Sequence, residues 1–497
     1  MTPLWKGGKC PMESYKMYIG GEWVDSVRGK TREVIYPYTL EALWEVPEGV
    51  EEDVDRAVAA ALKAQELWAT KRLNERMNYL RAALELLKGK REEMAEITVK
   101  EGGHPISVAR WYFDSAVSRF RAAIEAAPEF YGETIPSSTR RFSFTIKQPV
   151  GVVGAIVPWN VPLIMAVVKI APALLMGNTL VLKPSAETPI STLELARLFE
   201  AVDLPKGVLN IVTGSGSVVG RRLVEHPGVG KISFTGGTAT GRDIAERAGR
   251  TLKKLTLELG GNDPVIICED ADLDWASDAA VYGRFYHQGQ ICISSKRIIL
   301  LEKIADEFKE KMLGKTRRLK IGDPMDPETQ IGPLINKEQL EKVDEQVRES
   351  IKMGANLLCG GKYKKLVYEP TILDGCTMEM PCCKEECFGP VAPLIVVPDL
   401  DAAIKVANET IYGLSAGVFT QDLSQAMTVI NRIQSGSVHV NECSLLIDPY
   451  APFGGVKASG MGKELGGHYA FEEYTTTKWV TIDTERVSYP FLRLGGG

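Results

Sequence analysis

The sequence lacks an excess of charge of either sign. Its 497 residues carry 59 Lys and Arg against 64 Asp and Glu, which leaves a formal net charge of −5. Nucleic acids and anionic membranes attract proteins with basic surfaces. The charge balance therefore gives no reason to expect either as a partner. Hydrophobic residues make up 44% of the chain, an ordinary share for a globular protein with a sizeable core.

The sequence also lacks the paired cysteines of a disulfide framework or a zinc module. Its nine Cys are scattered and odd in number, which indicates reduced thiols and a cytoplasmic location. The first ten residues contain no apolar segment and predict a loose tail without a secretory signal. Zinc knuckles space their cysteines in pairs, whereas Cys376, Cys382, Cys383 and Cys387 include two adjacent ones. We interpret this cluster as buried or half-buried free thiols that hold no metal.

No apolar run continues without interruption for the length of a membrane span. The segment 150–177 is nearly all apolar, but Gly151, Gly154 and three prolines punctuate it. This pattern predicts a buried strand over Val150–Val157 and a buried helix over Leu163–Met176.

The chain shows no internal repeat or low-complexity tract, and from residue 150 onward apolar strand-like runs alternate with helical segments. Such alternation predicts an α/β fold with parallel sheets covered by helices. Further predicted strands are Thr179–Leu182, Val208–Thr213, Lys231–Phe234, Leu255–Leu257 and Pro264–Cys268. Predicted helices are Glu51–Trp68, Arg72–Lys88, Pro105–Ala127, Thr192–Ala201, Val218–His226 and Gly241–Ala248. A second alternation runs from Trp275 to about Val440.

Four motifs surround a central cysteine, Cys292, within Tyr286–Arg297. Upstream lie Pro158-Trp159-Asn160, the glycine-rich stretch Phe234–Gly241, and Leu257-Glu258-Leu259-Gly260-Gly261, and downstream lies Glu385–Pro390. A cysteine thiolate is a strong nucleophile that forms covalent adducts with carbonyl groups. In this order, from about Tyr18 to about Trp479, the motifs resemble the NAD(P)-dependent, non-acylating aldehyde dehydrogenase superfamily.

The resemblance implies two parallel-sheet α/β domains and a small β oligomerisation flap. Arg140–Lys147 alternates polar and apolar residues, and Glu473–Ile482 is rich in β-branched residues. Both match the strands of the flap, and an exposed edge strand favours pairing with another chain. We therefore expect a homo-oligomer, either a dimer or a tetramer. The expected limits are a dinucleotide-binding domain over 12–129 and 150–259, a catalytic domain over 260–457, and oligomerisation strands over 130–149 and 473–490.

The resemblance also implies a mechanism for oxidising an aldehyde to its acid. Cys292 would add to the aldehyde, and Asn160 with the Cys292 backbone N–H would stabilise the resulting oxyanion. Glu258 would be the general base that hydrolyses the thioester, because burial raises a carboxyl pKa toward the range that suits a base. Lys169 and Glu464 match positions proposed to relay protons outward.

The cofactor site implied by the resemblance is a nicotinamide dinucleotide site on the helix that follows Gly236-Gly237. The backbone N–H groups of that helix end can face the pyrophosphate, although family members often have Ser at the position of Gly237. Gly214 and Gly216 fit a dinucleotide fingerprint, but Val219 replaces its third glycine, which favours a tight strand–helix turn there. The full predicted set is Pro158, Trp159, Lys183, Ser185, Ala186, Thr235, Gly236, Gly237, Gly241, Glu386 and Phe388.

The sequence predicts a preference for NADP, with NAD as a weaker substitute. Many NAD-preferring relatives carry Glu at the position of Ala186, where the carboxylate binds the ribose hydroxyls and repels a 2′-phosphate. Here Lys183 and Ser185 can bind that phosphate instead. Glu187 is the alternative acceptor for the ribose.

By alignment with the family, an apolar channel admits a small aldehyde. Ile291, beside the nucleophile, offers no cationic partner, which disfavours phosphorylated aldehydes and semialdehydes. Aliphatic, hydroxylated and aromatic aldehydes remain open. The predicted lining is Val161, Met165, Val168, Tyr286, Ile291, Ile293, Ile447 and Phe453.

Three other functions compete with aldehyde oxidation. His287 could serve as the base of a cysteine hydrolase that needs no dinucleotide. A non-catalytic protein could share the fold, although the presence of Cys292, Glu258 and Asn160 together argues against it. The acylating, coenzyme A-dependent branch of the family typically lacks the Glu base, and Glu258 is present here.

Overall fold

The computed structural model describes residues 12–137 and 141–487 together with Tyr489 and Phe491. The predicted N-terminal tail, the C-terminal glycines and Arg140 of the first flap strand lie outside these residues. The fold consists of two large sheets, each covered by helices, and three small sheets. This arrangement confirms the predicted α/β class.

The first large sheet has eight strands in the spatial order β21-β11-β10-β7-β8-β9-β2-β3, of which the five from β11 to β9 are mutually parallel. The central strands β7 and β8 have both faces buried and form mainly apolar runs, as buried parallel strands do. Its strands are β2 (Met17–Ile19), β3 (Glu22–Val24), β7 (Val152–Ile156), β8 (Thr179–Lys183), β9 (Leu209–Ile211), β10 (Lys231–Thr235), β11 (Lys254–Glu258) and β21 (Gly460–Met461).

The second large sheet has seven strands in the order β14-β17-β18-β13-β12-β19-β20. In this spatial order, the six strands from β17 across to the edge strand β20 are parallel, and β14 pairs with β17 in the antiparallel sense. Its strands are β12 (Asp263–Ile267), β13 (Ser295–Leu301), β14 (Asn356–Cys359), β17 (Thr371–Asp374), β18 (Val391–Val397), β19 (Gly417–Phe419) and β20 (His439–Val440).

Three small sheets complete the β structure. The longest pairing joins β6 to β22 as an antiparallel ribbon of nine residue pairs. The strands of the small sheets are β1 (Glu13–Ser14), β4 (Thr31–Ile35), β5 (Ala42–Pro47), β6 (Arg141–Pro149), β15 (Tyr363–Lys364), β16 (Val367–Tyr368) and β22 (Thr475–Asp483). Sheet membership alone does not fix domain limits, so the predicted limits stay a prediction.

The helices of the first half of the chain contribute buried residues to two hydrophobic clusters that also contain strands of the first sheet. In this first half the helices are α1 (Glu51–Trp68), α2 (Leu73–Lys88), α3 (Arg91–Gly102), α4 (Ile106–Ala126), α5 (Pro162–Leu175), α6 (Ile190–Ala201), α7 (Arg221–Glu225) and α8 (Thr238–Gly249). The remaining helices are α9 (Leu273–Phe285), α10 (Ala305–Thr316), α11 (Lys337–Lys352), α12 (Pro381–Lys384), α13 (Leu400–Asn408), α14 (Leu423–Arg432) and α15 (His468–Glu473).

Sequence patterns located seven of the eight helices from α1 to α8 and missed α3, and beyond residue 275 they predicted only a further alternation of strands and helices. This helix buries residues on several faces, including Met94, Ile97 and Val99, so it carries little of the one-sided apolar pattern that marks a surface helix. The buried segment after residue 150 forms β7 and α5, as predicted. Within the part of the chain that the structure describes, no helix combines the length and apolar character that crossing a membrane requires.

Candidate active site

A cavity of about 270 Å³ lies where the two large sheets meet, and it contains most of the predicted site. All eight predicted channel residues line it. So do Asn160, Glu258, Cys292 and Glu464. Seven of the predicted cofactor residues also line it, namely Pro158, Trp159, Thr235, Gly236, Gly237, Glu386 and Phe388. The same cavity is therefore lined by the candidate nucleophile, the candidate oxyanion donor, the candidate base and the residues predicted to bind the nicotinamide.

The nucleophile follows a strained loop. His287 and Gln288 have φ angles of 49° and 52°, and Gly289 follows at 69°, so three successive residues are left-handed. Non-glycine residues adopt this conformation only where surrounding contacts enforce it, often at functional sites. Directly after this loop, Lys296 Nζ donates to the carbonyl oxygens of Ile291 (2.9 Å) and Cys292 (2.6 Å) and so fixes the backbone at the nucleophile.

The thiol of Cys292 is half-buried at the cavity wall. Burial raises its pKa to about 12, and the positive charge of Lys296 only partly opposes the rise. The thiol is therefore protonated at neutral pH in this state, and a base must accept its proton when it attacks a carbonyl group.

Two hydrogen bonds, one from the side chain and one to the backbone, hold Asn160 beside the nucleophile loop. Its side-chain Nδ2 donates to the carbonyl oxygen of Gln290 at 2.8 Å, and its own backbone oxygen lies 2.7 Å from Nε2 of His104. The His104 ring stacks on the His287 ring, with the two ring planes nearly parallel and the centroids 3.8 Å apart. His287 therefore packs against His104, and among the described residues it has no hydrogen bond to Cys292, so the geometry gives no support to a hydrolase base at this position.

Two of the three glutamates that line the cavity, Glu258 and Glu464, are buried in different surroundings. Neither side-chain oxygen of Glu258 has a hydrogen-bond partner among the described residues. Burial and then the negative charge of Glu464 raise the pKa of Glu258 well above its ordinary range. Glu464, by contrast, forms an ion pair with Lys169 and accepts from Ser233 and Thr235.

The cofactor half of the cavity presents the start of α8. The first N–H groups of a helix have no partner within it and favour an anion, and a side chain added at Gly237 would meet open space. Across from it, Glu386 accepts from the backbone N–H of Gly261 at 3.0 Å and lies 3.4 Å from Lys296 Nζ. Phe388 meets Trp159 edge to face at 5.5 Å. Backbone donors, an anchored carboxylate and a flat apolar wall fit the pyrophosphate, ribose and nicotinamide of a dinucleotide.

Comparisons with known proteins agree with this site. The family model described as "Aldehyde dehydrogenase family" matches residues 23–480. The chain is 42% identical to human aldehyde dehydrogenase 1A1 over 476 residues, which covers 94% of each protein. The chain belongs to the aldehyde dehydrogenase family.

Solved structures support the same assignment. Betaine aldehyde dehydrogenase from Staphylococcus aureus in complex with NAD+ matches with a TM-score of 0.94 and 36% identity, covering 96% of this chain and 97% of that one. 3,6-Anhydro-L-galactose dehydrogenase in complex with NADP matches at 0.92 and 36%, covering 95% and 100%. An E. coli NADP-dependent enzyme matches at 0.93 and 37%, covering 95% and 98%. The resemblance found in the sequence is confirmed, and the chain is an NAD(P)-dependent enzyme that oxidises aldehydes.

Four predicted cofactor residues of this aldehyde dehydrogenase lie outside the cavity lining: Lys183, Ser185, Ala186 and Gly241. Lys183 ends β8, and its Nζ donates to the carbonyl oxygen of Pro184 at 2.8 Å. Burial lowers its pKa to about 8. Ser185 Oγ accepts from the backbone N–H of Glu187 at 3.3 Å.

One cation near these residues was not predicted from the sequence. Arg32 on β4 pairs with Glu48 at 2.6 Å, and Glu48 also accepts from the backbone N–H of Ser215. Burial raises the pKa of Glu187, and the positive charge of Arg32 opposes the rise. Arg32 thus acts electrostatically on the same region as Lys183, although 151 residues separate the two in sequence and no motif links them.

The substrate half of the cavity also contains residues that the motifs did not reveal. They come from α4 and from the segment after β20, and they are Trp111, Tyr112, Arg119, Leu445 and Leu465. Arg119 corrects the reasoning from Ile291, because a cation does line the channel. The apolar pattern of α4 could have located this face, since Arg119 stands two turns after Tyr112 on the buried side.

The cysteine cluster lies in the core of the second sheet. Cys376, Cys382 and Cys383 are buried, and their sulfur atoms lie within 4.8 Å of one another. All eight cysteines among the described residues are free thiols, as predicted. That the cluster holds no metal stays a prediction.

Proposed function

We propose that this chain oxidises a small aldehyde to the carboxylic acid through a covalent adduct on Cys292. The thiolate adds to the aldehyde carbon, oxidation of the adduct gives a thioester, and water hydrolyses it with Glu258 as base. A nicotinamide dinucleotide bound between α8 and Glu386 would supply the hydride acceptor. The observation that carries the proposal is the single cavity that joins a thiol, an amide donor and a buried carboxyl group without a described partner.

Asn160 supports the oxyanion role through the hydrogen bonds that it leaves unused. Its amide has two N–H groups, and among the described residues only one is engaged, with the Gln290 oxygen. The other is available to the substrate oxygen, together with the Cys292 backbone N–H. Because the amide is fixed at the cavity wall before the substrate arrives, it needs little reorganisation during the reaction.

Glu258 supports the base role through its isolation. A carboxyl group with a raised pKa accepts a proton from water or from the thiol more readily than an exposed one. The Lys169–Glu464 pair lies next to it and connects to Ser233 and Thr235. We propose that this buried chain of polar groups carries the proton away from the base.

The first test is Cys292→Ala, which should abolish both aldehyde oxidation and esterase turnover, because both need the same acyl intermediate. Cys443→Ala is the matched control, since Cys443 is a buried thiol that does not line the cavity. Initial rates on a panel of aldehydes with NAD and NADP measure the outcome. Substantial dehydrogenase turnover in Cys292→Ala would refute the mechanism.

We propose that NADP is the preferred cofactor. Ala186 removes the carboxylate that would repel a 2′-phosphate, Lys183 and Ser185 can bind it, and the charge of Arg32 adds to the local positive potential. A charge-assisted hydrogen bond contributes about 1.5–3 kcal/mol, which corresponds to a preference of about tenfold or more.

Ala186→Glu tests the cofactor proposal. It should lower the NADP preference, measured as the ratio of kcat/KM values at one aldehyde, and leave the acyl-transfer steps at Cys292 intact. A wild-type enzyme with a higher kcat/KM for NAD would contradict the proposal and would indicate that Glu187 takes the place of the missing carboxylate.

We also propose a cytoplasmic homo-oligomer, a dimer or a tetramer, assembled through the β6–β22 ribbon. Phe142 and Trp479 on this ribbon are 66% and 67% exposed, and Ile482 stands opposite Phe142. An exposed apolar edge of this kind favours association. Sedimentation should show the wild type larger than a monomer and Trp479→Glu shifted toward the monomer. A monomeric wild type at micromolar concentration would refute the proposal.

A further inference from the structure

Arg119 is a buried cation inside the substrate half of the cavity. It projects from α4, is only 6% exposed, and lines the cavity together with Val168 and Leu465. The same three residues line a small recess that adjoins the cavity and also contains Glu464. The guanidinium thus lies in the space that the substrate must occupy, away from the cofactor half.

The hydrogen-bonding capacity of Arg119 is mostly unused. A guanidinium offers five N–H groups, yet only Nη1 has acceptors among the described residues, the carbonyl oxygen of Ser115 at 3.2 Å and its hydroxyl. No carboxylate among the described residues lies within 4.0 Å of its nitrogens. Buried charges in proteins are normally paired with an opposite charge. Arg119 has no such partner among the described residues, so a bound anion would stabilise it.

The charge persists under ordinary conditions. Burial lowers the pKa of Arg119 to about 10, which the nearby Tyr112 and Asp448 partly oppose, so the group is protonated at neutral pH. A neutral substrate tail beside it would leave the charge without a partner.

We propose that Arg119 anchors a carboxylate at the far end of the substrate, so that the preferred aldehydes are carboxylated ones, such as semialdehydes of dicarboxylic acids. The inference rests on the proposed attack of Cys292 on an aldehyde in this cavity. A guanidinium binds a carboxylate through two parallel N–H···O bonds. A phosphate fits less well, because Glu386 and Glu464 line the same cavity and would repel its second negative charge, although Lys342 also lines the cavity.

The test compares matched aldehydes that differ only in the terminal carboxylate: pentanal against glutaric semialdehyde, and benzaldehyde against para-carboxybenzaldehyde. The wild type should favour the carboxylated member. Arg119→Met should lower kcat/KM for that member about tenfold to a hundredfold, the value of one or two charge-assisted bonds. The loss should appear mainly in KM, because the anchor binds ground state and transition state alike. The neutral member should be nearly unaffected.

Two variants make the test specific. Arg119→Lys keeps the positive charge but lacks the two parallel N–H groups of the guanidinium. It should therefore recover part of the preference for the carboxylated aldehyde that Arg119→Met loses. Arg121→Met removes an exposed arginine two positions along the same helix and should leave both rates unchanged. In the wild type, a series of unbranched oxo acids of increasing length should show an optimum, because both ends of the substrate are fixed.

Three results would overturn the inference. Equal losses for both members of a pair in Arg119→Met would show a structural role only. A wild type without carboxylate preference and without an optimum in the series would refute the anchor even if Arg119→Met failed to fold, and oxidation of the neutral aldehydes would then show that the proposed function stands. Absence of turnover on every aldehyde would remove the proposed function and the inference together.

Discussion

Glu258 and Glu464 are two glutamates in one cavity, each 2% exposed, with opposite surroundings. Glu464 has a cation, Lys169, and two hydroxyl donors, Ser233 and Thr235. Glu258 has no hydrogen-bond partner among the described residues. Burial is therefore the same for both, and only the partners differ.

The difference shows how one residue type serves two purposes a short distance apart. A paired carboxylate is stable as an ion and holds its neighbours in place. An unpaired buried carboxyl group resists ionisation. The negative charge of Glu464 increases this resistance at Glu258, because it raises the pKa of Glu258 beyond the effect of burial. The paired glutamate thus helps to make the unpaired one a better proton acceptor.

The largest expected effect comes from removing the unpaired carboxylate. Glu258→Gln should lower steady-state turnover about a hundredfold to ten-thousandfold, the range for a lost general base. If Glu258 acts mainly in thioester hydrolysis, stopped-flow mixing should still show a near-stoichiometric burst of reduced cofactor before the reaction stalls.

Glu464→Gln is the matched comparison for that variant, because it changes the paired member of the same cavity. We expect it to retain more turnover than Glu258→Gln. Unchanged steady-state turnover in Glu258→Gln would remove Glu258 from the mechanism.

The second effect concerns the paired glutamate. Lys169→Met leaves Glu464 as a buried carboxylate without its cation, which should cost about 3–5 kcal/mol of unfolding free energy. The double variant Lys169→Met/Glu464→Leu replaces both charges and should recover much of the loss. Urea unfolding measures both. Equal stability of Lys169→Met and the wild type would show that the ion pair is not what stabilises Glu464.

The third effect is a pH dependence of stability that comes from the unpaired glutamate, Glu258. The pKa of Glu258 is raised in the folded state, whereas an unfolded Glu titrates near about 4.3. Its contribution to stability is therefore fully present below the unfolded pKa and is lost as pH rises through the folded one. The wild type should lose stability relative to Glu258→Gln above about pH 4.3, by up to about 1.4 kcal/mol per pH unit. A constant difference between pH 4 and 8 would contradict the raised pKa.

Enzyme activity should follow the same group in the opposite sense. A general base works only when deprotonated, so turnover should rise with pH through the raised pKa of Glu258. Lys169 lowers that pKa, and Lys169→Met should therefore move the acid limb of the pH–rate profile to higher pH. A limb that stays in place in Lys169→Met would show that another group controls it.

The contrast between the two glutamates could not be predicted from the sequence, although both residues could. Glu258 and Glu464 were found because they stand in or align with family motifs. Their surroundings depend on contacts between distant segments, such as Lys169 with Glu464 and Ser233 with Glu464. Local patterns carry little information about such contacts.

The same reason explains which site residues the sequence revealed and which it did not. Several parallel strands could be predicted from their apolar runs. The channel residues could be predicted from their alignment with the family, many of them near Cys292 and Asn160. Arg119 and Arg32 stand in ordinary amphipathic elements, α4 and β4, where a charged residue reads as a solvated side chain. The position of Arg119 at the cavity is visible only in the folded structure, where α4 packs against α5.

The smallest expected effect would measure how much each partner of Glu464 contributes. Ser233 is fully buried, donates to Glu464 at 3.3 Å, and accepts from Lys169 at 3.0 Å and from the Tyr474 hydroxyl at 3.4 Å. Ser233→Ala removes these bonds but leaves the ion pair and the Thr235 hydroxyl, so the unfolding free energy should fall by about 0.5–1.5 kcal/mol. Thr316→Val is the control, because it removes a buried hydroxyl that has no hydrogen-bond partner among the described residues. A loss in Ser233→Ala as large as that in Lys169→Met would show that hydroxyl donors, rather than the cation, distinguish the paired glutamate from Glu258.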